Sequence, residues 1–200
     1  MRLRFLVKGV PFLTLAKGMP SLLKNYYEIR RQAKQHGMVF PFGNFYPYIE
    51  DKNQKSGTTS GHYFHQDLLV ATKIFINKPD KHVDIGSRID GFVAHVASFR
   101  DIEVFDIRDM SEQIRNIHFK RLDIMNGDNV LHDYCDSVSC LHALEHFGLG
   151  RYGDSVDYSG HLLGWENIYK MLKKGGKFYF SVPIGTQRIE FNAHRVFSLD

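Results

Sequence analysis

Short apolar runs typical of buried strands alternate with helix-like segments from about residue 82 onward. The segments between the strands have apolar residues at helical spacing. Strands that alternate with helices pair in parallel through right-handed crossovers. We therefore predict an α/β, doubly wound fold with a mostly parallel sheet of five strands. The predicted strands are HVDIG, IEVFDI, IHFKRLD, YCDSVSCL and KFYFSVPI, and the predicted helices are HQDLLVATKIFI, FVAHVASF, MSEQIRNI and HLLGWENIYKMLKK.

A polar loop, DKNQKSGTTSG at residues 51–61, is the best candidate for a boundary. We predict an N-terminal extension over residues 1–60 and the main domain over residues 61–200. Up to Ile49 the extension contains only one acid, Glu28, among many aromatic residues. It is either a solvated basic face packed on the main domain or a segment for an anionic surface. Its eight basic residues are Arg2, Arg4, Lys8, Lys17, Lys24, Arg30, Arg31 and Lys34.

Cysteine usage favours a reducing compartment. The two cysteines, Cys135 and Cys140, lie in one apolar run and are poorly placed to pair. Lys8, Pro11 and Lys17 interrupt each early apolar run, so no membrane span is expected. We predict a cytoplasmic protein, with peripheral membrane association left open.

Acidic residues follow two predicted strands, where ligands bind in doubly wound sheets. Gly86 permits a tight turn after the first strand. Asp106 comes twenty residues later, the spacing at which a carboxylate accepts ribose hydroxyls, although it can also cap a helix. Asp123 can accept from an adenine amino group while Ile124 packs on the ring, or it can be a turn residue.

In order and spacing, HVDIGS, Asp106, LDI, CDSVSCLHALEHF and MLKKGGKFYFSVP resemble the motifs of class I S-adenosylmethionine-dependent methyltransferases. The whole chain is also similar to an uncharacterised branch associated with bacterial surface-polysaccharide clusters. The resemblance implies a Rossmann-like fold and S-adenosylmethionine as the cofactor. It implies three sets of cofactor residues: Asp84, Gly86 and Ser87 for the methionine end, Asp106 for the ribose, and Asp123 with Ile124 for the adenine. Leu141 to His146 would pass beneath the sulfonium and border the acceptor.

The sequence departs from this family in two places. Arg88 and Asp90 stand where the second and third loop glycines belong, and Gly91 comes one place late. Arg88 would either block the cofactor or turn outward and bind an anionic group. The family's sheet usually has two more strands than the five predicted here. Both departures leave open an inactive, methyltransferase-like binding or scaffold module.

The residues His142, Glu145 and His146 spell H-x-x-E-H, a spacing that zinc peptidases use. Those enzymes need both histidines on one face of a helix, whereas a strand-like run precedes this motif and glycines follow it. A zinc hydrolase is therefore the minor alternative, and we predict no metal. For methyl transfer to a hydroxyl, His146 is the first candidate for the base and His142 the second. Glu145 would orient a histidine or bind acceptor hydroxyls.

Residues after the fifth strand are candidates for the substrate side. His194 and Arg195 can form a lid, and Arg195 or Arg188 would suit a phosphate or carboxylate on the acceptor. The chain lacks the NPPY-like tetrapeptide of many base-modifying members, so no nucleic acid is expected. The prediction is an O-methyltransferase for a small or glycan-linked acceptor.

Overall fold

The computed structural model describes residues 12–37 and 40–199. The chain divides into two compact units, Met1–Thr58 and Thr59–Asp200. The predicted basic residues Arg2, Arg4 and Lys8 lie outside the described residues. Within the described residues, no helix has the length and apolar character needed to cross a bilayer.

The first unit contains helix α1, Phe12–Gln35, and a 3-10 turn, Asp51–Asn53. The Tyr26 ring makes edge contacts with Phe42 and Phe45, with ring centroids 6.0 and 5.5 Å apart. None of the side chains described in this unit is buried. Its described part is therefore a basic helix with aromatic contacts rather than a unit with a packed core.

The second unit is built around a five-stranded sheet whose neighbouring strands are all parallel, in the order β3-β2-β1-β4-β5. This arrangement confirms the predicted α/β fold. The chain moves outward from β1 to β3 and then returns to the other side of β1 with β4, so the switch in strand order lies between β1 and β4. The strands are β1 (His82–Ile85), β2 (Ile102–Asp106), β3 (Ile117–Arg121), β4 (Cys135–Leu141) and β5 (Leu172–Ser181).

Helices cover both faces of this sheet. The helices α2 (His62–Asn77) and α3 (Ala94–Ala97) pack on one face, with Ile74 and Val96 fully buried. Helix α4 (Gly160–Met171) packs on the other face through Ile168 and Met171. The chain continues into a separate antiparallel hairpin formed by β6 (Arg188–Glu190) and β7 (His194–Val196).

One predicted helix, MSEQIRNI, is wrong. Residues 107–116 connect β2 to β3 without a helix. This connection must return along the full length of the strand, because Ile102 pairs with Ile117, and Asn116 has a left-handed φ of 66°. Ten residues that must cover this distance are too few for a helix. The last predicted helix is also shorter than expected, because β5 already begins at Leu172.

Candidate functional site

A cavity of about 370 Å³ opens at the carboxyl ends of the first four strands. Its volume lies within the roughly 300–1,000 Å³ of small-molecule and cofactor sites. It lies beside the switch in strand order, where the predicted ligand residues follow their strands. Six of the residues predicted to contact a cofactor line it: Gly86, Ser87, Asp106, Asp123, Ile124 and Leu141.

The loop after β1 is held in place by hydrogen bonds to the Asp84 side chain. Gly86 has a left-handed φ of 72°, and a Cβ at this position would lie 3.0 Å from the Ala143 Cβ. The Asp84 carboxylate is fully buried and accepts hydrogen bonds from the Ser87 amide at 3.0 Å and the Ser87 hydroxyl at 2.8 Å. Asp84 itself is not among the residues that line the cavity. The structure therefore places Asp84 as a brace for the loop.

A buried polar stripe continues from Asp84 along the sheet. The Ser139 hydroxyl donates to Asp84 Oδ1 at 2.5 Å, and its oxygen lies 3.2 Å from His82 Nε2. The other ring nitrogen of His82 lies 2.8 Å from the Ser137 hydroxyl oxygen. Burial raises the pKa of Asp84 to about 6 and lowers the pKa of His82 to about 3. These four side chains form one hydrogen-bonded path beneath the loop after β1.

Arg88, which stands where the methyltransferase resemblance leads one to expect a glycine, turns outward. Its guanidinium pairs with Asp90 at 2.8 Å, and the two side chains are 78% and 73% exposed. The pair raises the pKa of Arg88 and lowers that of Asp90. Both residues border the cavity, which stays open beside them. The position of Arg88 is therefore compatible with a ligand in the cavity.

The end of β2 carries an ion pair inside the cavity. Arg108 Nε donates to Asp106 Oδ1 at 2.9 Å, and Arg108 Nη2 donates to Oδ2 at 2.5 Å. The guanidinium also lies over the Tyr152 ring, 4.8 Å from its centroid. The Asp106 carboxylate raises the pKa of Arg108. Both carboxylate oxygens of Asp106 thus accept a hydrogen bond from the chain's own arginine.

The residues after β3 form the next part of the wall. The Asp123 carboxylate accepts from the Met125 amide at 2.9 Å and shapes the turn after the strand. Ile124 is buried in the core, and its carbonyl accepts from the Asn167 amide of α4 at 2.8 Å. The predicted turn role of Asp123 is therefore present, and its side chain also borders the cavity.

A histidine with a buried carboxylate behind it follows β4. His142 Nδ1 lies 3.0 Å from Glu145 Oε1, and because a carboxylate only accepts, Nδ1 carries the hydrogen. Glu145 is 2% exposed, and its Oε2 atom has no hydrogen-bond partner in the described structure. His142 has a left-handed φ of 52°, a conformation that is uncommon outside glycine. This backbone turn directs His142 to the cavity, which it lines.

His146 also lines the cavity but is oriented differently. Its Nδ1 donates to the Ala193 carbonyl at 2.6 Å, which leaves Nε2 as the basic nitrogen. This Nε2 lies 4.0 Å from Glu145 Oε1. Burial lowers the pKa of His146, and the Glu145 charge only partly offsets this effect.

The geometry around H-x-x-E-H does not favour a zinc peptidase. Leu144–His146 forms a single 3-10 turn, which begins two positions after the left-handed His142. The two histidines therefore do not share a helix face, which the zinc motif requires. Among the described residues, no group of three or more potential ligands is arranged to hold a metal ion.

The structure does not bring the predicted substrate-side residues to the cavity. Arg195 is 5% exposed and donates to the carbonyls of Phe147 and Tyr158 at 2.5 and 3.0 Å. Arg188 pairs with Glu190 at 2.5 Å within the hairpin. His194 lies beside His146, with ring centroids 6.4 Å apart. None of the three lines the cavity, and Arg195 instead fastens the hairpin to the loop after β4.

The first turns of α2 supply cavity residues that sequence reasoning missed. Tyr63, Gln66 and Asp67 line the cavity at positions i, i+3 and i+4 of one helix face. The same face continues into the core through Val70, Ala71 and Ile74. This continuity could have identified them from the sequence, because the three residues extend the apolar stripe of α2 toward its N-terminus.

A parallel five-stranded sheet with helices on both faces and a cavity at the strand ends defines an α/β protein of Rossmann-like architecture. The family model described as a Caenorhabditis protein of unknown function, DUF268, matches residues 91–199, more than half of the chain. The chain therefore belongs to the DUF268 family. No curated protein matches the chain significantly.

Proposed function

We propose that this chain is an S-adenosylmethionine-dependent methyltransferase that O-methylates a small or glycan-linked acceptor. One observation carries the proposal: carboxylates at the ends of β2 and β3 and a carboxylate-oriented histidine after β4 border the same cavity. This is the set of groups needed to bind a nucleoside and to deprotonate a hydroxyl beside it.

The residues at the strand ends fit the nucleoside part of the cofactor. Asp106 would accept from the ribose hydroxyls once its pair with Arg108 opens. Asp123 and Ile124 would border the adenine, with the carboxylate at its edge and the apolar side chain on its face. Gly86 fits because any larger residue would crowd Ala143 and narrow this cradle.

As the base we propose His142, which was the second candidate from the sequence, ahead of the first candidate, His146. Bound S-adenosylmethionine supplies an electrophilic methyl group, so the protein must position the acceptor and remove its proton. With the hydrogen on Nδ1 held by Glu145, His142 Nε2 can accept the acceptor's proton, and the buried carboxylate stabilises the resulting imidazolium. His146 is the second candidate, because its Nδ1 is held by a carbonyl rather than by a charge.

Placement in the cytoplasm and a glycan-linked acceptor belong to the proposal as well. Free thiols at Cys135 and Cys140 suit a reducing compartment. The glycan-linked acceptor rests on the similarity to the polysaccharide-associated branch. The basic residues of α1 would suit an anionic membrane surface as a partner. They are Lys17, Lys24, Arg30, Arg31 and Lys34.

Calorimetry with S-adenosylmethionine and S-adenosylhomocysteine tests the proposal. We expect micromolar binding that Asp106→Ala weakens at least tenfold. The control Asp109→Asn removes an exposed acid that pairs with Arg121 and should bind like the wild type. If the wild-type chain binds neither nucleoside, the methyltransferase proposal fails.

A second candidate function is a methyltransferase-like scaffold without turnover. The pairing of Asp106 with Arg108 favours it, because the ribose-binding carboxylate is already satisfied by the chain. The same calorimetry separates the two functions, since a scaffold of this kind would bind neither nucleoside.

A further inference from the structure

The acid that the resemblance implies for the charged end of an amino-acid ligand is not available to such a ligand. Family resemblance assigns that end to Asp84, Gly86 and Ser87. Asp84, however, is fully buried and its oxygens accept from Ser87 and Ser139. An ammonium group in the cavity therefore needs a carboxylate other than that of Asp84.

Asp67 of α2 supplies a carboxylate at this place. It lines the cavity, and a Cβ at Gly91 would lie 3.1 Å from Asp67 Oδ2. The carboxylate thus lies against the loop in which Arg88 and Gly91 depart from the family pattern. Burial raises the pKa of Asp67, whereas the Gln66 amide and the nearby His95, Arg88 and His142 lower it.

Two residues with donor groups, Arg88 and Gln66, also line the cavity. The Cβ position of Gly91 is 3.8 Å from the Arg88 Cβ, so Arg88 and Asp67 flank the same glycine. Gln66 Nε2 is buried and makes no hydrogen bond of normal geometry in the described structure, although the amide is close enough to Asp67 to affect its pKa. Asp67, Arg88 and Gln66 therefore all line the cavity near Gly91.

The Arg88 guanidinium can be recruited at small cost. Its partner Asp90 is 73% exposed, and ion pairs between exposed side chains contribute little to stability. The fork uses Nε and Nη2 for Asp90, and a ligand carboxylate can take the place of the Asp90 carboxylate in the same bidentate geometry.

We propose that Asp67 and Arg88 form the subsite for an α-amino-acid group: Asp67 binds the ammonium, and Arg88 with Gln66 binds the carboxylate. This inference rests on the proposed function and assigns the methionine end of the cofactor to residues outside the family motif. It also assigns a ligand-binding role to Arg88, which stands where the family motif has its second loop glycine.

A pair of ligands that differ only at this end tests the subsite. S-adenosylhomocysteine carries the amino-acid group, and 5′-methylthioadenosine keeps the nucleoside and thioether without it. By calorimetry we expect the wild-type chain to bind S-adenosylhomocysteine at least tenfold more tightly. In Asp67→Asn and in Arg88→Ala this preference should fall to less than threefold, while the affinity for 5′-methylthioadenosine stays within twofold.

Two results overturn the subsite. One is a wild-type chain with equal affinity for the two ligands, and the other is a preference that survives in both variants. Arg88 is largely exposed, so its variant should fold even if Asp67→Asn does not. Asp109→Asn is the matched control and should keep the full preference. A wild-type chain that binds neither ligand overturns the proposed function itself, and the subsite with it.

Discussion

The His82 imidazole and the Asp84 carboxylate are joined through a single hydroxyl, that of Ser139. The Ser139 oxygen lies 3.2 Å from His82 Nε2 and 2.5 Å from Asp84 Oδ1. Both ionisable groups are buried in the sheet, and burial shifts their pKa values in opposite directions. The pair therefore makes opposite contributions to the pH dependence of stability.

Asp84 should stabilise the fold at acidic pH. Its pKa is raised from 3.8 to about 6, so the folded state favours the protonated carboxyl. This contribution is complete below pH 3.8 and is lost as the pH rises through 6, with a slope of at most about 1.4 kcal/mol per pH unit. In urea titrations from pH 7 to 4, the free energy of unfolding of the wild type should rise relative to Asp84→Asn. Parallel pH profiles for the two chains would contradict this.

His82 should act in the opposite sense. Its pKa falls from 6.5 to about 3, so the folded state favours the neutral ring. The contribution is present above pH 6.5 and is lost as the pH falls toward 3, with a similar slope of about 1.4 kcal/mol per pH unit. His82→Gln keeps hydrogen-bonding groups for Ser137 and Ser139. It should therefore lose less stability than the wild type between pH 6.5 and 4, and an identical acid sensitivity would argue against a neutral His82.

Glu145 should fix the tautomer of His142. Because Glu145 Oε1 accepts from His142 Nδ1, nitrogen NMR at pH 8 should find the hydrogen on Nδ1 in the wild type. Glu145→Ala removes the acceptor and should give a mixture of tautomers. The control Glu166→Ala removes an exposed carboxylate of α4 and should leave the His142 spectrum unchanged. A dominant Nε2–H form in the wild type would remove the basis for His142 as the base.

Arg108 should compete with a ligand for Asp106. Its side chain is 49% exposed, and a pair of this kind contributes about 1 kcal/mol, so Arg108→Ala should tighten S-adenosylhomocysteine binding about fivefold. Arg108→Lys retains the charge without the planar fork and should give an intermediate affinity. Calorimetry measures both values, and weaker binding by Arg108→Ala would instead make Arg108 a ligand contact.

Gly86→Ala should destabilise the loop after β1. A left-handed φ costs an L-residue about 1–2 kcal/mol, and the new methyl group would lie 3.0 Å from the Ala143 Cβ. The loss should appear as a lower urea midpoint with an unchanged slope. Gly127→Ala is the control, because open space surrounds that position, and it should differ little from the wild type. Equal midpoints for the two variants would show that the loop relaxes without cost.

Local pattern was sufficient to predict the strands and much of the cavity. The ends of parallel strands meet at one edge of a sheet, so Asp106 and Asp123 had to lie near Gly86 once the strands were found. The predicted helix over MSEQIRNI is absent. The chain between β2 and β3 must return along the length of the strand, and this requirement overrides the helical spacing of its apolar residues.

The sequence alone does not predict the role of a residue whose partners lie far away along the chain. Asp84 has the position of a ligand residue in the motif, yet Ser139 of β4 and Ser87 use its oxygens. Arg195 has the charge expected of an anion-binding residue, yet carbonyls of two other segments surround it. Asp67 lies well before the strand-end motifs and reaches the cavity only because α2 packs beside the loop after β1.

The Arg195 side chain holds β7 and the loop after β4 together. Its guanidinium donates from β7 to the carbonyls of Phe147 and Tyr158, which lie on either side of a loop that contains several glycines. The tip of the hairpin lies outside these ties, and Phe191 there is 92% exposed. The tip also contains Ala193, whose carbonyl accepts from His146, so replacing the arginine would loosen both segments and the contact that orients this histidine.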